Sequence, residues 1–280
     1  MVEAAFQDLV AELKAGKSER FMRYLEFSAQ FHQYSAFNQM LIFLQRPDAT
    51  FVAGYKRWQE LGYQVRKGER GISILAPIVH KRMNAEEADE QREEERLVGF
   101  KEVYVFDALQ LVNTKEKPIP SFWEWLPDDK EEVYRMVKAA VEASGIEVQE
   151  AKLGPGVQGV SQGGRIVLAE GTDSRSRTMT LVHEWAHEIV HQQQISEQER
   201  RQLPQTVREC QAEAVSYVVS HYLGLEHPFA RDYLLSYGNT AEMLIDNLDQ
   251  VQQTSHLMIE RLEEMDSTCS PTLPDRKGTH

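Results

Sequence analysis

The pentapeptide His183-Glu184-Trp185-Ala186-His187 restricts this chain more than any other stretch of it. Around it, Met179, Leu181, Val182, Trp185, Ala186, Ile189 and Val190 fall at helical spacing. On a helix, two residues four apart share a face and lie about 6 Å apart along the axis. His183 and His187 can therefore converge on one zinc ion. Glu184 then lies beside the metal, where it can take a proton from a bound water. Five residues thus propose a hydrolytic metal site, with two imidazole ligands and a catalytic base.

The flanking sequence supports that reading. Residues 163–169, beginning Gly163-Gly164, read as a turn followed by a short strand. Asp173 or Ser174 can cap the helix that follows. A strand, a cap and a metal-binding helix in that order suit a zinc peptidase.

A catalytic zinc takes three protein ligands and a water. A histidine six residues beyond His187, reached through a glycine, is excluded because position 193 is Gln and no glycine intervenes. His191 sits a further turn along the helix and reads as a supporting or structural residue. The best downstream source is residues 208–217, where Glu209, Glu213 and Tyr217 share one helical face with His221. Geometry alone leaves Glu209 and Glu213 both open. Glu213 is favoured, because the small residues around it allow close helix approach. Zinc suits the motif, although cobalt or manganese can also be held by two imidazoles and a carboxylate.

Composition narrows the setting. A chain of 280 residues with 41% hydrophobic and 27% charged side chains suggests two domains or one large one. No apolar run approaches the ~18 residues of a membrane helix, and the N-terminus lacks an apolar signal core. Cys210 and Cys269 are the only cysteines, and they form no C-x-x-C pair. A cytoplasmic protein without a disulfide framework or thiolate metal site is the expectation.

The net charge of −13 by itself argues against nucleic-acid binding. The charge is uneven, however. Residues 1–79 carry ten basic and eight acidic side chains, a balance of +2 that leaves −15 for the remainder. Within that third, Lys56, Arg57, Arg66, Lys67 and Arg70 alternate with Tyr55, Trp58 and Tyr63. Basic groups that track phosphates and aromatics that stack on bases are the ingredients of single-strand binding. Lys56, Arg57, Trp58, Arg66, Lys67 and Arg70 are the candidate DNA-binding residues.

The periodicity predicts helices over 36–45, 55–61, 131–143, 198–203, 205–223 and 240–264, with further helices over 6–13 and from Ser18 onward. Residues 63–66 and 72–75 read as a hairpin about a Lys67-Gly68 turn. Residues 98–106 suit a strand that pairs with 74–82, and the acid-rich segment at about 85–96 reads as a solvated insertion between them. The fold class expected is α+β in two domains: 1–116, which binds DNA, and 131–265, mostly helical and zincin-like. A linker at 117–130 joins them, and 266–280 reads as a disordered tail.

Two resemblances follow from these residues. The segment from His183 to His191, taken with Gln211-Ala212-Glu213-Ala214, resembles the ImmA/IrrE-type zinc metallopeptidases. The resemblance implies Glu213 as the third ligand. The N-terminal third resembles the single-stranded-DNA-binding domain of the ArdC antirestriction family. It does so at Tyr34-Ser35-Ala36-Phe37-Asn38-Gln39-Met40-Leu41, at Gly54-Tyr55-Lys56-Arg57-Trp58, over residues 65–71 and at Phe106-Asp107. Together they imply a zinc-dependent peptidase, acting on a protein or peptide, behind a domain for single-stranded DNA, with duplex DNA left open. Its role would be antirestriction. The rivals are a DNA-binding module with a structural metal, and a regulatory peptidase that cleaves a repressor without touching DNA.

Overall fold

The computed structural model describes the backbone of residues 8, 11, 12, 19–83, 93–112, 126–226 and 247–265, with side chains for all of these except 80–83 and 93–97. In chain order the elements begin with α1 (Glu19–Gln30), α2 (Ala36–Gln45), β1 (Val52–Gly54), α3 (Tyr55–Glu60) and β2 (Gln64–Val65). Then come β3 (Ile72–Met83), β4 (Glu93–Asp107), a 3-10 turn (Ala108–Gln110) and β5 (Leu111–Val112). The remainder is α4 (Lys130–Ala143), β6 (Glu147–Ala151), β7 (Gly159–Ser161), β8 (Arg165–Ala169), α5 (Ser174–His187), a π-helical turn (Glu188–Gln193), α6 (Glu197–Gln202), α7 (Gln205–Tyr222) and α8 (Leu248–Met265). The mixture of helix and strand is the expected α+β.

The described residues divide into two compact units. One takes residues 33–83 and 93–112. The other takes 19–32 with 126–226 and 247–265. Helix α1, which the sequence assigned to the N-terminal domain, packs against α7 in the second unit. Its apolar face of Phe21, Tyr24, Leu25 and Ser28 is buried there, at the i, i+3, i+4, i+7 spacing that binds a helix to a core. The helix expected at 6–13 lies mostly, and the tail at 266–280 wholly, outside the described residues.

In the first unit β4 is central, pairing antiparallel with β1 on one side and β3 on the other. The 74–82 to 98–106 pairing is the one expected, with a bulge between Ile78 and Val79. β4 already begins at Glu93, so the end of the acid-rich 85–96 stretch is strand; residues 84–92 lie outside the described residues.

The hairpin expected between 63–66 and 72–75 does not form. β2 pairs with β5, Val65 opposite Leu111, while β3 pairs with β4. Burial decides this. Val65 and Leu111 complete a cluster with Ala53, Trp58 and Ala108, which a local hairpin would leave Val65 unable to join. The open edge of β3 is bonded by side chains of α2. Asn38 both accepts from and donates to the Leu75 backbone, and Gln45 does the same with Ser73. Such bonds stop an edge strand from recruiting another chain.

In the second unit β8 is central between β6, which is parallel to it, and β7, which is antiparallel. Asp173 caps α5 by accepting from Ser176 N–H. Leu181, Val182, Trp185 and Ala186 form the buried face of α5. Helix α7 packs against α5, α8 and α1 and is buried along most of its length. Each large apolar side chain fully enclosed here contributes roughly 1.5–3 kcal/mol. No helix among the described residues is long and apolar enough to cross a membrane.

Candidate metal centre

Helix α5 delivers His183 and His187 on one face, one turn apart. Their Nε2 atoms lie 3.1 Å from each other. The third corner comes from α7. Glu209 Oε2 lies 3.6 Å from His183 Nε2 and 3.4 Å from His187 Nε2. Ligand atoms about 2.0–2.1 Å from a tetrahedral zinc are separated by roughly 3.3 Å. The triangle at His183, His187 and Glu209 matches that spacing, and it is the His/Cys/Asp/Glu group among the described residues that could hold a metal ion.

Glu213, the ligand favoured from the sequence, occupies a different position. Its Oε2 lies 3.1 Å from His183 Nδ1, behind the ring rather than at the Nε2 triangle. The two carboxylates are one helical turn apart on α7, so they meet the same imidazole on opposite nitrogens. In this geometry Glu209 stands at the Nε2 triangle and Glu213 at the opposite nitrogen of His183.

The electrostatics follow from this packing. Burial pulls the His183 pKa down, but hydrogen bonds to Glu209 and Glu213 outweigh it and push it up to about 10. Hydrogen bonds from His183 and His187 hold the Glu209 carboxyl well below the usual carboxylate range. Glu184 is raised, chiefly by burial, against the lowering influence of both histidines and of the Ser161 backbone. A carboxyl raised this way is better matched to proton transfer near neutrality.

Two further groups hold the helix in place. Glu188 is fully buried and accepts from Ser161 Oγ at 2.7 Å, Gly163 N–H at 2.8 Å and Gly164 N–H at 2.7 Å. Both glycines have positive φ, which turns successive N–H groups toward one carboxylate. Thus the turn before β8 is bonded to the end of α5. His191 follows in the π-helical turn, a feature often found at functional sites. It is buried, with Nδ1 at 3.0 Å from His187 Nδ1 and Nε2 at 2.9 Å from Gln211 Oε1. Burial, with the charges of His187 and Arg208, pulls its pKa down to about 4, over the opposing effect of Gln211. The sequence did not single out Glu188 or Gln211. The Gly163-Gly164 pair was the available signal for Glu188.

β7 is an edge strand lying against Glu184. A Cβ at Gly159 would stand 2.6 Å from Thr180 Cγ2 and 2.9 Å from Glu184 Cγ. Tyr217, on the same stripe of α7 as Glu209 and Glu213, donates to Glu26 Oε1 at 2.6 Å.

The basic and aromatic candidates of the first unit separate into distinct groups. Trp58 is buried, and its Nε1–H donates to Phe106 O at 2.8 Å, so it has no free face for a base; the expectation for Trp58 is corrected. Arg66 donates to Glu69 and to Leu109 O, and Arg57 pairs with Glu60. Lys56, Lys67 and Arg70 are exposed. The exposed aromatics among the described residues are Phe37, Tyr55, Phe100 and Tyr104. Phe100, Tyr104 and the half-buried Phe106 alternate along β4 onto one face, and the Tyr55 ring meets Phe106 edge-on at 6.1 Å.

Fold and site define an α+β chain whose second unit presents a helix-borne candidate metal centre. Its N-terminal part is similar to that of the ArdC antirestriction proteins. Residues 2–106 match the family model for the N-terminal domain of anti-restriction factor ArdC. The crystal structure of metal-free antirestriction ArdC from plasmid R388 shares the fold, with a TM-score of 0.53 and 16% identity over 97% of this chain and 99% of that one. The Mn(II)-bound structure of the same protein gives 0.50 and 15%, over 95% and 98%. An uncharacterized protein of Bacillus anthracis is 22% identical over 245 residues, 74% of this chain but 41% of that protein. The chain therefore spans about two fifths of that relative's length.

Proposed function

We propose that this chain is a divalent-metal-dependent peptidase joined to a single-stranded-DNA-binding unit, and that it serves antirestriction on mobile DNA. The observation that carries the first part is the triangle of His183 Nε2, His187 Nε2 and Glu209 Oε2, with the raised carboxyl of Glu184 beside it. As in the ImmA/IrrE-type peptidases, a carboxylate on the following helix would complete the site; here that residue is Glu209, and Glu213 orients His183. A bound divalent cation would supply Lewis acidity and lower the pKa of a water at the site. Glu184 would take a proton from the attacking water as its oxygen bonds to the peptide carbonyl carbon, and pass that proton to the amine nitrogen as the C–N bond breaks. β7 supports a peptide as the substrate, because an extended chain can add to an edge strand by backbone hydrogen bonds. Zinc is the metal we favour; the Mn(II)-bound ArdC structure is consistent with a divalent ion more broadly.

The nucleic-acid surface we propose is the β4 face of Phe100, Tyr104 and Phe106 with Tyr55, flanked by Lys56, Lys67 and Arg70. Arg70 is close enough to influence the Tyr104 hydroxyl. Aromatic faces beside cations suit single-stranded bases.

The test is digestion of a denatured-protein peptide library by metal-loaded wild type and Glu184→Gln, read by mass spectrometry beside metal content. Cleavage by wild type alone, with equal metal in both, supports the peptidase reading. Equal cleavage by both refutes Glu184 as the base. Failure of wild type to take up metal refutes the site.

A further inference from the structure

We infer that His191 and Gln211 form a positioning relay that fixes the tautomer of His187, so that its Nε2 is presented bare to a metal. The inference rests on the metal-site reading above and goes beyond it to two residues that touch no ligand.

The direction of every proton follows from the far end of the relay. Gln211 Nε2 donates to Asn247 Oδ1 at 2.6 Å and to Gln250 Oε1 at 2.7 Å. Both amide protons are used, so the amide is oriented with Oε1 toward His191. His191 Nε2, 2.9 Å from that oxygen, must carry the hydrogen. A neutral imidazole has one N–H, which leaves His191 Nδ1 as an acceptor. Among the described residues the group that faces it is His187 Nδ1, at 3.0 Å, so His187 carries its hydrogen there. His187 Nε2 is then bare, at the corner of the triangle shared with His183 and Glu209. Gln211 on α7, held by Asn247 and Gln250 at the start of α8, thereby acts through His191 on the tautomer of His187 on α5. The π-helical turn carries His191, which is buried away from competing water.

A bond to the distal nitrogen of a ligating imidazole fixes its orientation and raises its basicity. Loss of such a partner typically weakens metal binding about 10–100-fold. His191→Asn keeps an acceptor oxygen near the position of Nδ1, whereas His191→Phe keeps the bulk and removes the acceptor.

The experiment measures zinc and manganese affinity by chelator competition in wild type, His191→Phe and His191→Asn, with metal-free melting temperatures recorded alongside. The relay predicts a loss of about 10–100-fold for His191→Phe and recovery of most of it in His191→Asn. Equal affinity in wild type and His191→Phe overturns it, as does an equal loss in both variants. If His191→Phe does not fold, long-range proton–nitrogen NMR of wild type decides. His191 protonated at Nε2 and His187 at Nδ1 support the relay, and any other pattern in the metal-free or zinc-loaded protein overturns it. A wild type that binds neither metal refutes the site itself, while the NMR tautomers still test the relay separately.

Discussion

Glu213 Oε2 lies 3.1 Å from His183 Nδ1, while Glu209 Oε2 lies 3.6 Å from Nε2 of the same ring. One imidazole is thus held between two carboxylates one helical turn apart. The proposed metal site assigns the two acids different roles: Glu209 shares the cation, and Glu213 steers the ring.

Metal affinity should distinguish them. Glu209→Gln removes a charged ligand atom and should abolish stoichiometric zinc binding. Glu213→Gln should weaken it by about 10–100-fold. Chelator competition on both variants is the measurement. The opposite ranking would restore Glu213 as the ligand.

Gly159→Ala should destabilise the second unit. The new methyl would stand 2.6 Å from Thr180 Cγ2 and 2.9 Å from Glu184 Cγ. Overpacking of this kind costs about 1–3 kcal/mol, so the melting temperature should fall. An unchanged melting curve would show that β7 can move away from α5.

Trp58 and Tyr104 should behave oppositely. Trp58→Ala empties the center of a buried cluster and should cost about 3–5 kcal/mol of stability. Tyr104→Ala should leave stability nearly unchanged and weaken single-stranded DNA binding, since each stacked base contributes about 1–3 kcal/mol. Fluorescence anisotropy with a labelled oligonucleotide, beside thermal melts, reads both. Lys67→Glu with Arg70→Glu should also flatten the salt dependence of binding. Undiminished binding by Tyr104→Ala would remove the β4 face from consideration.

Cys210 should resist alkylation while the protein is folded. Burial, helped by the charge of Glu213, pushes its thiol pKa up to about 12. The reactive species is the thiolate, so its fraction rises about tenfold per pH unit and is still roughly 10⁻⁴ at pH 8. Iodoacetamide followed by peptide mapping should show modification of Cys210 only after unfolding. Rapid labelling at pH 8 would contradict the burial of this face of α7.

Local patterns in the sequence carried over well. The spacing of His183 and His187, the cap at Asp173 and the helix at 36–45 depend on contacts within a few residues, and all three appear as read. The pairing of 74–82 with 98–106 was also legible, because both stretches are long and β-rich. Strand 64–65 was too short for pattern to identify its partner, so burial of Val65 against Leu111 and Trp58 decided it.

By itself, the sequence determined that two histidines share one helical face with a glutamate beside them, because 3.6 residues per turn sets residues four apart one above the other. It also determined that a second helix carries Glu209 and Glu213 on a common stripe. Only tertiary structure decided which carboxylate meets which nitrogen. That outcome depends on how α7 lies across α5, a matter of packing between helices about twenty residues apart in the chain. The same packing brought Gln211 to His191, and separate packing against Val65 and Leu111 buried Trp58, contacts for which the linear order of residues carries no period.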